Sequence, residues 1–409
     1  MPAPSIAVIG AGITGVTTAH ALNARGYDVT LYDRNRHAAM ETSFANGGQL
    51  SASNAEVWTH ASTILKGLRW ILRKDAPLRM GLSPSWHKMS WLAEFVGNIP
   101  NYEANTIATA RLAVAARAEM ARIAADEGIA FDREDRGILH VYEDRAGFEH
   151  AAAVSRLLAR GGVERRAVTP EEIAAIEPAL RGRFHGGFFT AADATGDIHK
   201  FTTGLAEACV RRGVVLRLGT EVAGVGATGQ GVAVRLGGTG AGEVVRHDGV
   251  VVCAGVRSRA LARGLGDRVN VYPVKGYSIT VQMEDAASQA AAPWVSLLDD
   301  AAKIVTSRLG PDRFRVAGTA EFAGEDRDIR AARIAPLVAW VNRHFPGVST
   351  RQSVPWAGLR PMMPSMMPRV GAGRRPGVFY NTGHGHLGWT LSAATAEMVG
   401  AEVARALPA

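Results

Sequence analysis

The stretch Ile6-Ala-Val-Ile-Gly-Ala-Gly-Ile-Thr-Gly15 decides the fold, because an apolar strand runs straight into a glycine-spaced turn that opens a helix. Gly10 permits the sharp turn, Gly12 leaves no side chain where a pyrophosphate approaches the backbone, and Gly15 lets helix and strand pack closely. The unpaired N–H groups of the helix start, with the positive end of its dipole, then face the phosphates. With 46 glycines in 409 residues, such spacing can arise by chance, so the context must agree. It does: small Ala19 falls on the helix, Gly26 at its stop, and a second strand, Val29-Thr-Leu-Tyr-Asp33, follows. Asp33 stands near the ~20-residue offset at which a carboxylate meets the ribose hydroxyls of a dinucleotide. An acidic residue there disfavours a 2′-phosphate, and with it NADP.

Around this motif the composition is that of a globular protein, 47% hydrophobic and 21% charged, long enough for two or three domains. Cys209 and Cys253 cannot build a disulfide framework and lack zinc-ligand spacing, so no metal is expected. The formal charge of +8 comes from scattered arginines rather than basic blocks with interleaved aromatics. Nucleic-acid partners are therefore not expected, and anionic substrates or a lipid surface are the natural counterparts. The chain enters a strand within five residues and contains no apolar run near ~18 residues, so neither a signal peptide nor a membrane span is expected. A cytoplasmic location follows.

The segment from Met40 to Ser51, rich in small and amide residues, reads as a loop that follows a ligand. Residues 58–125 read as helices carrying Trp58, Trp70, Trp86 and Trp91, either as core and interdomain packing or as a cluster that touches lipid or a partner. Further strands are expected at 137–142, 187–190, 214–218 and 250–255, with Asp197 capping a helix over 200–212. Strand-like segments at 272–281 and 314–318, then a helix near 334–344, precede the strand Val378-Phe-Tyr-Asn381. A glycine loop, Thr382 to Thr390, leads into the last helix. This second helix start suits a flavin, whose N1/C2=O edge gains negative charge on reduction and is stabilised by backbone N–H donors.

The segments GAGITG, ETSFANGGQLS, VYPVKGYSIT, WAGLRPMMPS and NTGHGHLGWTLSAATAE, in this order along the whole chain, resemble the FAD-dependent D-amino acid oxidase superfamily. The resemblance is closest to the bacterial D-amino acid dehydrogenases. It implies an α/β fold, a Rossmann-like FAD-binding domain interleaved with a mixed α+β substrate domain. The expected boundaries are residues 1–57, 198–268 and 352–409 for the first, and 58–197 and 269–351 for the second. It implies non-covalent FAD, with Gly10, Gly12, Ile13 and Gly15 at the pyrophosphate and Asp33 with Arg34 at the adenosine ribose. Ser43, Asn46, Gly47, Gly48, Gln49 and Leu50 would follow the ribityl chain and flavin, and Val222, Ala254 and Gly255 the adenine. Gly383, Gly385, His386, Leu387, Gly388, Trp389 and Thr390 would cover the pyrimidine edge.

For the substrate, the resemblance implies oxidative deamination of a D-amino acid by hydride transfer from Cα, with electrons passed to a quinone, as the dehydrogenase-like motifs favour, or to oxygen, as in the oxidases. The tryptophan-bearing helices would then rest on the inner face of the membrane. Arg360 is the first choice for the substrate carboxylate, since a planar permanent cation binds it bidentately. Arg308 is the second. Tyr277 is read either as a hydrogen-bond donor to that carboxylate or as core, and Lys275 either as a neighbour of the flavin or as half of an ion pair. His384 and His386 lie beside the flavin, where a loop histidine is commonly a structural hydrogen-bond partner; His386, standing where many dehydrogenases have threonine, is also placed with Arg360, Arg308 and Tyr277 among the candidate catalytic residues at the pocket rim. Glycine, sarcosine, D-proline and 2-hydroxy acid oxidoreductases of the same fold remain open, as does a non-catalytic FAD-holding subunit.

Overall fold

A computed structural model describes residues 2–60, 78–81, 85–229 and 231–409. Its first sheet has six strands, in the order Arg369–Ala372, Val378–Thr382, Gly249–Val252, Ser5–Ile9, Asp28–Tyr32, Val215–Arg217. All neighbours are parallel except the edge strand Arg369–Ala372. The inner strands are unbroken apolar runs because both faces are covered. Ile6 and Val8 pack on the helices Ile13–Asn23, Ile198–Arg211 and Gly388–Ala406. Ala7 and Ile9 pack instead toward the antiparallel strands Glu221–Thr228, Gly231–Gly237 and Val244–His247. Asp197 caps the helix Ile198–Arg211 as expected, accepting from the N–H groups of His199 and Lys200.

The second sheet has nine strands and is mostly antiparallel. Near one edge Tyr272–Gln282 lies between the edge strand Ser353–Met362 and Arg313–Phe322. The helix Ala331–His344 seals one face, with Leu337, Trp340 and Val341 in one cluster with Tyr277, Ile279 and Val281. The opposite face of the same strands is left to line a cavity shared with the first sheet.

Two expectations need correction. The strand Ser353–Met362, placed with the nucleotide domain by the boundary at 352, pairs residue for residue with Tyr272–Gln282 in the second sheet. The chain returns to the first sheet only at Arg369. A strand of alternating small and large residues carries no local mark of which sheet it joins. Between 58 and 125 the described helices are Trp86–Gly97 and Tyr102–Asp126, whereas Leu78–Met80 is a strand. Trp70 lies outside the described residues. Among the described residues no helix is long and apolar enough to cross a membrane.

Candidate active site

A cavity of about 450 Å³ runs from the tip of the strand Ser5–Ile9 to the start of the last helix. At the first end Gly10 adopts φ +109°, and a Cβ there would lie 2.6 Å from the carbonyl oxygen of Cys253. Only glycine fits. Asp33 Oδ2 accepts the N–H of Ala11 at 2.7 Å, so this carboxylate also fixes the turn. Ser43 Oγ accepts the N–H of Ile13 at 3.0 Å, tying the following loop to the helix start. Gly15 does not line the cavity; a Cβ on it would meet the Gly10 carbonyl at 1.7 Å, so it serves the close packing of turn and helix.

Of the other residues expected to hold the cofactor, Arg34, Asn46 to Gln49, Val222, Ala254, Gly255, Gly383 and Gly385 to Thr390 line this same cavity. Leu50 does not; it packs against the core beneath the first sheet. Arg315, which the sequence reading missed, is buried and donates to the carbonyl of Asn46 at 3.0 Å and to Thr280 Oγ1 at 2.7 Å, holding the loop in place. Burial pushes its pKa down to about 10.

The loop then turns through Ser51–Asn54 on a buried carboxylate. Asp193 accepts the N–H groups of Ala52 and Ser53, each at 3.0 Å. Burial raises its pKa in spite of these bonds. Ser53 Oγ lies 2.9 Å from His140 Nε2, and Arg165 donates to the other ring nitrogen of His140 at 3.2 Å. The last helix joins the same turn, since Thr390 Oγ1 accepts the N–H of Ser51 at 3.2 Å. Of this network only Thr390 is marked in the sequence; His140 lies within an apolar strand and Asp193 in a small-residue turn, and neither segment carries a motif.

On the substrate side two glycines face each other across neighbouring strands, Gly276 and Gly358. A Cβ on Gly276 would lie 2.2 Å from Arg360 Nη1, and one on Gly358 would lie 2.0 Å from the Trp356 ring. Arg360 and Trp356 therefore lie over this trough, on the cavity wall. Arg360 donates to the carbonyl of Thr319 at 3.0 Å and has no ion-pair partner among the described residues. Burial pushes its pKa down to about 10. Thr319 itself has φ +61° and a buried hydroxyl without a partner among the described residues.

His386 completes the wall. Its Nε2 lies 3.3 Å from the carbonyl of Asn54, and its ring stacks on Trp58 with centroids 4.9 Å apart. Burial, with Arg360 as a nearby cation, lowers its pKa to about 4. His384, bonded to Thr395 at 2.9 Å, is pushed down to about 3 by burial. Both rings are therefore neutral near pH 7.

Two substrate-binding expectations fail on geometry. Arg308 does not line the cavity: its guanidinium donates to the carbonyls of Gln289, Ala292, Gly310 and Pro311 and lies 3.9 Å from the Trp294 ring centroid. Tyr277 touches the cavity with its strand, but its hydroxyl donates to Glu321 Oε2 at 2.8 Å among residues packed beneath the helix Ala331–His344. Lys275 shares that face and pairs with Asp326 at 3.4 Å. A two-residue side-chain period puts both on the far side from Gly276.

The glycine cradles at both ends, the two helix starts facing one elongated space, and the Thr319 hydroxyl and His386 Nδ1 in its wall, without partners among the described residues, fit a flavin dinucleotide. The buried thiols of Cys209 and Cys253, both pushed up to about 12, stay protonated. Such a site defines a flavin-dependent oxidoreductase. The chain belongs to the FAD dependent oxidoreductase family, whose model matches residues 5–402. It is 61% identical to D-amino acid dehydrogenase 3 of Mesorhizobium japonicum, over 99% of this chain and 98% of the relative. A D-amino acid dehydrogenase of Paramagnetospirillum magneticum is 42% identical over 96% of this chain and 93% of its own. Among solved structures, glycine oxidase from Geobacillus kaustophilus superposes with a TM-score of 0.75 at 19% identity, covering 99% of this chain and 96% of that one. L-proline dehydrogenase from P. horikoshii gives 0.75 at 17% identity, covering 99% and 94%.

Proposed function

We propose that this protein oxidatively deaminates D-amino acids with FAD, and that Arg360 binds the substrate carboxylate. The observation that carries this is a half-buried guanidinium, without an ion-pair partner among the described residues, laid over Gly276 in the wall of the flavin cavity. A cation partly withdrawn from water without a counter-ion is costly, and a bound carboxylate removes that cost while fixing the substrate's orientation. The Gly10 to Ile13 turn, the loop of residues 46–49 and the start of the last helix would hold FAD, which would supply the two-electron acceptor for the Cα hydride. Trp356, Trp58 and neutral His386 exclude water and confine the substrate beside it. Placement of this kind supplies several kcal/mol of the barrier through orientation alone. The oxidised product is an imino acid, which water converts to a 2-oxo acid and ammonia.

The electrons pass to a quinone, with the protein resting on a membrane surface. Trp86, 84% exposed, and Met89, 54% exposed, project from the helix Trp86–Gly97. Arg268 on the neighbouring segment pairs with Glu94 of that helix, and it and Arg263 are close enough to lower the pKa of Arg259. Exposed aromatic and apolar groups beside clustered arginines suit an anionic lipid surface. The test is anaerobic mixing with D- and L-amino acids while following the flavin absorbance. Bleaching by D-enantiomers alone is expected; bleaching by L-enantiomers alone contradicts the stereochemical assignment. Sedimentation with anionic vesicles, lost in Trp86→Ser, tests the surface.

A further inference from the structure

Residues 54–60 alternate in burial: Ala55, Val57 and Thr59 are buried, while Asn54, Glu56, Trp58 and His60 are half-exposed and line the cavity. His386 touches Asn54 and Trp58, the residues on either side of Glu56 in this row. The Glu56 carboxylate stands in the cavity lining where it meets the helices Tyr102–Asp126 and Arg145–Ala159. It accepts from the Tyr102 hydroxyl at 2.6 Å and lies 3.8 Å from His150 Nε2, while His60 packs edge-on against Tyr102. Among the described residues no lysine or arginine pairs with it. The cations elsewhere in the lining are engaged, Lys303 with Asp300, Arg327 and Arg34 with Glu41, and Arg257 with Glu221.

The cavity thus holds, among the described residues, a cation without an ion-pair partner, Arg360, an indole face, and a carboxylate, Glu56, whose neighbours are a tyrosine hydroxyl and an imidazole rather than a lysine or arginine. We infer that Glu56 and Trp58 form a side-chain subsite that selects D-amino acids with cationic tails, amines or guanidiniums. The inference rests on the reading that Arg360 takes the α-carboxylate. With the carboxylate fixed there, the aliphatic stem runs along the Trp58 ring and the charged tip meets Glu56, where ion pairing and the indole face both favour a cation. A neutral tail of equal length takes water from Glu56 and returns no charge to it beyond the Tyr102 and His150 contacts it already has, which is how a polar group in a pocket rejects a poor substrate.

The test uses the full-length, FAD-loaded protein, reduced anaerobically by D-lysine, D-arginine, D-norleucine and D-alanine. D-norleucine matches the D-lysine stem without its charge. The apparent Kd for D-lysine is expected to lie about tenfold or more below that for D-norleucine. Glu56→Gln, which keeps the side-chain volume and the Tyr102 contact, should erase this advantage and leave D-norleucine and D-alanine within about twofold of the unsubstituted protein. Glu56→Asp should restore part of it. In the unsubstituted protein, raising the ionic strength should weaken D-lysine more than D-norleucine, a readout that needs no variant. Equal affinity for D-lysine and D-norleucine, or a uniform loss over all four substrates in Glu56→Gln, overturns the subsite. If no D-amino acid reduces the flavin, it is the deamination reading that fails.

Discussion

Gly276 lies so close beneath the Arg360 guanidinium that a Cβ on it would stand 2.2 Å from Nη1. The glycine is therefore part of the anion site, although it carries no functional group. Gly276→Ala should tilt Arg360 off the strand and raise the apparent KM for D-amino acids about tenfold while the protein stays yellow. Arg360→Lys keeps the charge but loses the planar fork, and Arg360→Ala leaves the substrate carboxylate without a partner. The alanine variant should lose about 2–5 kcal/mol of substrate binding, with lysine rescuing only part. Titration of flavin bleaching against substrate concentration reads both.

The hydroxyl of Tyr277 is bonded to Glu321 and faces away from Arg360. Tyr277→Phe should leave the substrate KM unchanged and lower unfolding stability by about 1 kcal/mol through the lost buried hydrogen bond. Arg308→Met should behave in the same sense, with a larger loss of stability because four carbonyls lose a charged donor. A rise in KM with unchanged stability in either variant would return these residues to the substrate site.

These two residues show where the sequence stops being legible. The nucleotide cradle is read locally, because Gly10, Gly12 and Asp33 act within one strand-turn-helix unit whose spacing sets its geometry. Arg360 is recognisable because its strand motif carries the resemblance. Tyr277 is different: whether it faces the flavin or the helix Ala331–His344 depends on one residue of register, and this strand has an irregular pairing between Lys275 and Tyr277. Arg308 is the last residue of the strand Ile304–Arg308, and the carbonyls it meets come from the turns after 308 and from residues 289 and 292. Thr319, Arg315 and Asp193 act through backbone groups of distant loops. No local pattern marks such contacts.

Asp193 anchors the turn that touches both the last helix and His386. Asp193→Ala removes an ionic acceptor from two buried N–H groups, each such bond being worth about 1.5–3 kcal/mol. The apoprotein should unfold at markedly lower urea concentration, and FAD should dissociate more readily, seen as recovery of free flavin fluorescence on dilution. Asp193→Asn, which keeps a carbonyl acceptor, should retain more of both properties. Unchanged urea midpoints in the alanine variant would show that the turn holds itself.

Stability should also fall on mild acidification, for a reason visible in two buried histidines and a third, His386, in the cavity wall. His384 and His386 are lowered to about 3 and about 4, and His140 lies well below the ordinary value near 6.5. Between about pH 6.5 and pH 4 the unfolded chain therefore takes up protons that the folded chain refuses. Stability is complete above the unfolded value and declines as pH falls, by up to about 1.4 kcal/mol per pH unit for each histidine. Asp193, whose pKa is raised, works in the opposite sense and softens the slope. Urea midpoints of the FAD-saturated protein between about pH 7.5 and pH 5 should show the decline. His386→Thr, which removes one of the three rings from the wall, should flatten it by its share. A midpoint that holds constant to pH 5 would mean that these imidazoles are protonated in place.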